Sequence, residues 1–178
     1  MNIIEKIISN FINNKSLYIG EKVTISEHMI QSAMIAENAK SSNNLICSCL
    51  LHDYGQFILE HPDALVRKKV DGKHEYIGYE YLKKFFNKDV VEPIKYHVLA
   101  KRYLAGDKKY FNSLSDASKI SLKLQGGVLN KNESKEFEKK DFFKQSIKLR
   151  KFDEAAKRTD VKMKSINEYK DLLSSQLL

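Results

Sequence analysis

Four of the five histidines, His28, His52, His74 and His97, fall on four separate stretches that carry apolar residues at helical spacing. A single imidazole on such a face is ordinarily a hydrogen-bonded core residue. Four of them, accompanied by the His52-Asp53 dipeptide and by Asp153, raise a harder accounting problem. Each buried imidazole needs a partner, and a shared metal ion satisfies several at once. Neighbouring side chains on a helix diverge by about 100°. His52 and Asp53 can therefore meet one centre only where a helix end loosens, which Tyr54-Gly55 allows. Imidazoles and carboxylates without thiolates suit iron, manganese or zinc. Four imidazoles and two carboxylates exceed what one ion with an open position accepts. They suit two ions, with Asp53 as the natural bridge because it carries two oxygens beside His52.

A second set of residues could receive an anion. Lys101 follows His97 by four residues, on the same helical face, one turn from the expected metals. Ser118, Ser121 and Gln125 form a polar stripe at i, i+3 and i+7, opposite Ala117, Ile120 and Leu124. Arg150 and Asp153 lie three apart with the acid C-terminal to the base, the weaker order for a helical ion pair. Arg150 as an oxyanion clamp and Asp153 as a metal ligand account for that order at least as well.

The elements that must position these residues read as all-α. The chain has 178 residues, 31 Lys+Arg against 23 Asp+Glu for a formal charge of +8, only seven glycines and two prolines. That suits one domain, 1–178, of helices joined by short loops. Ile4, Ile7, Ile8, Phe11 and Ile12 form one stripe; Thr24 and Glu27 spell a capping box for a helix to about Lys40. Asn43 or Asn44 is expected to cap a third helix ending near Gly55. His61 and Pro62 read as loop, followed by a helix from about His74 to Phe86. Asp89 is expected to cap the next, with Pro93 near its first turn, and Ser115 a short one closed by Gly126-Gly127. A charged stretch from Glu133 to about Arg158 should break near Asp141. A peripheral helix is expected over about 165–178. Cys47 and Cys49 are too few for a disulfide framework and read as small core side chains. Neither a leader-like start nor an apolar run of membrane-spanning length is visible, so a reducing cytoplasm is the expected location. The lysines are scattered, without a nucleic-acid recognition motif, and the expected partner is an anionic small molecule rather than nucleic acid or membrane.

The stretches YIGEKVTISEHMIQSA from Tyr18, LLHDYGQ from Leu50, KHEYIGYEYL from Lys73, HVLAKRYL from His97, LSDASKISLKLQGG from Leu114 and LRKFDEAAK from Leu149 occur in order. Together they resemble the HD-domain mixed-valent di-iron oxygenases of phosphonate breakdown, over roughly residues 1 to 165. The resemblance implies one iron on His28, His52, Asp53 and Asp153, and a second on Asp53, His74 and His97, as an Fe(II)/Fe(III) pair. It also implies that Tyr18 is the family's mobile tyrosine at the second iron and that Glu21 moves with it to meet the substrate's amino end. Lys101, Ser118, Ser121, Gln125 and Arg150 match its phosphonate-binding positions. The implied reaction is O2-dependent cleavage of a 1-hydroxyphosphonate, with 2-amino-1-hydroxyethylphosphonate giving glycine and inorganic phosphate. One position departs: Gln56 stands where such proteins often have histidine, leaving the choice of phosphonate open.

The main competing reading is a metal-dependent HD phosphohydrolase of nucleotides or phosphoesters. It needs His28, His52, Asp53 and Asp153 but gives no reason for Tyr18, Glu21 or Lys101. A non-catalytic anion-binding module should lack ligands, and none is missing. The cationic set argues against a neutral polyol as substrate.

Overall fold

Side-chain caps start most of the helices. In the computed structural model, which describes residues 2–18, 20–59 and 70–178, Asn2 opens α1 (Ile3–Asn13) through a capping box with Glu5. Thr24 and Glu27 do the same for α2 (Ile25–Asn38), as expected. The third helix, α3 (Asn43–Leu51), is capped by Ser42 rather than by Asn43 or Asn44. It gives way at His52 to a turn and then to the short α4 (Gly55–Ile58). His61 and Pro62 lie outside the described residues.

His74 is the first residue of α5 (His74–Leu82), which stops short of Phe86. Asn87, not Asp89, caps α6 (Lys88–Leu104), because its Oδ1 accepts from the Val90 N–H at 3.2 Å. Pro93 therefore sits deeper than expected, where it removes one backbone donor from the helix. A helix that the charge pattern concealed, α7 (Lys108–Ser113), is capped by Asp107. Ser115 caps α8 (Asp116–Leu124), and Gly126 and Gly127 follow it with positive φ. The charged stretch divides as expected near Asp141, into α9 (Lys131–Glu138) and α10 (Phe143–Ala155). Among the described residues there is no strand, only the isolated bridges Leu17–Thr24 and Phe86–Leu177.

The core gathers Ile7 and Phe11 of α1, Met29 and Ala33 of α2, Leu50 and Leu51 of α3, Ile94 of α6 and Leu149 of α10. Helices α2, α3, α6 and α10 pack on one another around it. Cys47 and Cys49 are buried there as free thiols. The C-terminal segment is a 3-10 turn, Ile166–Tyr169, leading into α11 (Lys170–Ser175). It is not peripheral: Ile166, Tyr169 and Leu173 are buried in the same core, against α1 and α3. Their apolar area outweighs the charged residues between them, since burying each such side chain contributes about 1.5–3 kcal/mol.

A close backbone approach brings α4 onto α5. A Cβ on Gly55 would stand 2.0 Å from the His74 carbonyl oxygen, and one on Gly78 3.0 Å from the Gly55 nitrogen. Only glycine at position 55 lets the turn after His52-Asp53 reach the start of α5, and Gly78 keeps that contact close.

Candidate metal centre

That approach places Asp53 between two pairs of histidines. Its Oδ2 lies 3.8 Å from His28 Nε2 and 3.7 Å from His52 Nε2. Its Oδ1 lies 3.0 Å from His74 Nε2 and 3.5 Å from His97 Nε2. Asp153 joins the first pair, with Oδ1 3.2 Å from His28 Nε2 and 3.8 Å from His52 Nε2. Two clusters result: His28, His52, Asp53 and Asp153, and Asp53, His74 and His97.

Five different elements supply them. His28 lies one turn into α2, where the Thr24 cap fixes the helix start; His52 and Asp53 stand where α3 ends; His74 begins α5; His97 is central in α6; Asp153 is in the last turn of α10.

The hydrogen-bond pattern shows what these clusters lack. His28 Nδ1 donates to the Ala156 carbonyl at 2.8 Å, His52 Nδ1 to Cys49 at 2.8 Å and His97 Nδ1 to Ile94 at 2.7 Å. A carbonyl only accepts, so each neutral ring turns an Nε2 lone pair inward. His28 and His52 Nε2 are 3.1 Å apart, and His74 and His97 Nε2 are 3.2 Å apart. Ring nitrogens so close need a proton or a metal cation between them. Asp53 Oδ2 and Asp153 Oδ1 are buried with no hydrogen-bond partner among the described residues. Ligands held at about 2.0–2.2 Å from one ion are about 3.0–3.5 Å from one another, close to the spacings here. The residues fit two metal ions sharing Asp53.

Electrostatics support the same arrangement. Burial pushes the His52 imidazole down to about 4, so it is neutral at physiological pH. Burial alone would raise Asp53, yet His52 and His74 hold it well below the usual carboxylate range. Asp153 is likewise held down against burial, by Arg150 first and then His52. His28 and His74 are raised, because nearby carboxylates outweigh burial; these two would surrender a proton to a metal.

Beside the clusters lies a cavity of about 160 Å³, with Tyr18, His74, His97, Lys101, Arg150 and Asp153 among its walls. Lys101 is buried and donates to Ser121 Oγ at 2.9 Å. Burial first, and then Arg150, depress its ammonium to about 7. Gln125 lines the same cavity, with a buried Oε1 that has no partner among the described residues. Gln56 faces it from α4. Arg150 is buried, with ion pairs to Asp153 and Glu154, and its Nε donates to Tyr110 Oη at 2.9 Å. Three of its five N–H groups are thereby engaged, leaving two. The ion pair and the clamp were alternatives in the sequence; the structure makes the pair and keeps the guanidinium at the cavity wall.

The α8 stripe differs from expectation. Ala117, Ile120 and Leu124 are not the core face; they line the cavity beside Ser118, Ser121 and Gln125. Leu122 makes the buried contact instead, and Ile120 is 56% exposed. A helix only nine residues long at the cavity edge presents one side to the cavity and a narrow one to the core.

Tyr18 stacks on His28 at 4.2 Å between ring centroids and 14° between planes, so its ring lies against the first cluster. Burial, with Asp53 and Asp153 nearby, holds its phenol protonated. Glu21 is not in the cavity wall. Its Oε1 is buried, without a hydrogen-bond partner among the described residues, 3.5 Å from Lys157 Nζ.

A family model described as HD domain matches residues 25–126. The [1-hydroxy-2-(trimethylamino)ethyl]phosphonate dioxygenase (glycine-betaine-forming) of Leisingera caerulea is 46% identical over 81% of this chain and 74% of its own. The hydroxymethylphosphonate dioxygenase of Gimesia maris is 40% identical over 88% and 79%. Uncharacterized protein L432 of Acanthamoeba polyphaga mimivirus is 36% identical over 90% and 74%. The chain belongs to the HD-domain phosphonate dioxygenases.

Within this dioxygenase the HD match covers five of the cluster residues, His28, His52, Asp53, His74 and His97, while Asp153 and Arg150 lie beyond it. Tyr110, Glu154 and Lys157 were not singled out from the sequence. A signal was present: Arg150, Asp153, Glu154 and Lys157 stand at i, i+3, i+4 and i+7, charges at helical spacing, although α10 ends at Ala155 and Lys157 lies just past it. Tyr110 left no such trace, because its role depends on how α7 lies against α10. No helix of the described residues is long and apolar enough to cross a membrane.

Proposed function

We propose that this dioxygenase cleaves the carbon–phosphorus bond of a 1-hydroxyphosphonate with O2, giving a carboxylic acid and inorganic phosphate. The observation that carries the reading is a carboxylate, Asp53, shared between two histidine clusters at the wall of a cavity that also holds Lys101 and Arg150. One iron would be held by His28, His52, Asp53 and Asp153, and the other by Asp53, His74 and His97, as an Fe(II)/Fe(III) pair. When bound, the irons supply the electron-transfer chemistry with O2 that the protein's own side chains lack.

A carbon–phosphorus bond has no ready leaving-group path, unlike a phosphoester, so C1 must be oxidised before phosphorus can depart. The atoms close without water: R–CH(OH)–PO3H2 and O2 contain the atoms of R–COOH and H3PO4. Lys101, Ser121, Gln125 and Arg150, which line the cavity, would bind the phosphonate oxygens, with Ser118 beside them. Holding the headgroup there orients C1 toward the clusters. Leu59, Ile120 and Leu124 limit water around the carbon end. Tyr18, expected at the second iron, instead stacks on His28 of the first cluster; it would have to shift for the role that the resemblance implies.

The Leisingera relative is named for a trimethylamino substrate and the Gimesia relative for hydroxymethylphosphonate. The substrate proposed first for this chain is 2-amino-1-hydroxyethylphosphonate, giving glycine; Gln56, neutral at the cavity wall, is the residue that would tune this choice. An iron-loaded assay of these three phosphonates, following O2 uptake and phosphate together, tests the reading. Equal, oxygen-coupled amounts support it. Phosphate release that continues without O2 would assign hydrolysis instead.

A further inference from the structure

Lys157 is the cation on which the cavity's outer wall converges. Its side chain is 10% exposed. Its Nζ donates to Ser118 Oγ at 2.8 Å, Glu154 Oε1 at 2.9 Å and Ser115 Oγ at 3.1 Å. It also lies 3.5 Å from Glu21 Oε1 and 5.9 Å from the centre of the Tyr18 ring. Two of these neighbours, Tyr18 and Ser118, line the cavity, and Glu154 pairs with a third lining residue, Arg150.

Among the described residues, the other anchors of the turn that carries Tyr18 and Glu21 are uncharged, and include the stack of Tyr18 on His28. A backbone ladder closes it, with Tyr18 N–H donating to Val23 O at 2.8 Å. Gly20, at φ +75°, rests against α8, where a Cβ would stand 2.7 Å from Ala117 Cβ. Both contacts fix the shape of the turn, but neither supplies charge. Without Lys157, Glu21 would lose the cation beside its carboxylate, and Glu154 would keep only Arg150 and the hydrogen bonds from Ser115 and Ser118. An ammonium here therefore serves two purposes: it ties the turn to α8 and α10, and it leaves Arg150 facing one fewer unbalanced negative charge.

From this we infer that Lys157 is a positioning residue of the anion pocket, linking the Tyr18–Glu21 turn to Ser118 and Glu154 and keeping the pocket electropositive. The inference rests on the phosphonate reading of the same cavity. Lys157 need not touch the substrate.

Lys157→Met and Lys157→Arg test it by two readouts. The first is calorimetric binding of methylphosphonate, an unreactive probe without the 1-hydroxyl, to the protein as purified. The second is kcat and KM of the iron-loaded enzyme with whichever 1-hydroxyphosphonate the wild type consumes. For Lys157→Met, methylphosphonate Kd and KM should each rise about tenfold, of the order expected for one lost charge-assisted contact, with kcat changing less. Lys157→Arg should restore most of both. Unchanged Kd and KM in a folded Lys157→Met protein would overturn the inference, as would equal loss in the Met and Arg variants. If the wild type consumes no 1-hydroxyphosphonate but methylphosphonate binding still depends on Lys157, the functional reading fails and the positioning role stands.

Discussion

Arg150 grips one oxygen of Asp153 and so aims the other at His28, 3.2 Å away. The candidate metal cluster and the proposed anion pocket thus share a side chain, so a change on one side should be felt on the other. The same guanidinium also pairs with Glu154 and donates from Nε to Tyr110 Oη, which orients it.

Replacing Arg150 by Met should therefore do more than weaken anion binding. It leaves Asp153 buried without its counter-charge, a loss of about 3–5 kcal/mol by analogy with broken buried pairs. Thermal denaturation of the metal-free protein should show a large drop in Tm. Metal content of the loaded variant should fall as well, since Asp153 is no longer aimed.

Asp53→Ala removes the one carboxylate common to both clusters. Metal analysis should find far less than two ions per chain, with both sites depleted. Two retained ions would contradict the bridging arrangement.

Gly55→Ala offers a more selective break. The new methyl would meet the His74 carbonyl oxygen at 2.0 Å, so α5 must move away from the turn after Asp53. The His74–His97 cluster should lose its ion while the His28–His52 cluster keeps one, and elemental analysis should approach one ion per chain.

Metal uptake should release protons. His28 and His74 are raised above 6.5 in the metal-free protein, so near neutrality part of the population carries a proton where a ligand lone pair is needed. Apparent metal affinity should climb as pH rises through that raised value and then level off. Calorimetry in buffers of different ionisation enthalpy at pH 7 should give a positive proton count.

Lys101 should shape anion binding in the opposite sense. Its ammonium is depressed to about 7, so it is charged below that pH and increasingly neutral above it. Methylphosphonate binding should weaken as pH rises past about 7, approaching tenfold per unit if a proton must be taken up each time. Lys101→Met should flatten that limb of the profile.

Much of this was legible in the chain itself. The capping box at Thr24 and Glu27, the stop at Gly126-Gly127 and the break near Asp141 are local devices, written within a few residues of where they act. The candidate ligands stood out because several imidazoles and carboxylates are costly to bury without a shared partner, which makes His28, His52, Asp53, His74, His97 and Asp153 conspicuous. Capping by Ser42 and Asn87 rather than by their neighbours turned on backbone angles that composition does not fix.

What the tertiary structure decided were the relations between distant segments. That Asp53 divides its oxygens between two clusters follows from the Gly55–Gly78 contact between α4 and α5. The C-terminal segment joined the core because α1 and α3 left an apolar face open to Ile166, Tyr169 and Leu173. The stripe on α8 turned its apolar residues to the cavity, and Lys157 became the meeting point of Glu21, Ser118 and Glu154. Periodicity tells which residues share a face of one helix. Only the packing of helices settles what that face meets.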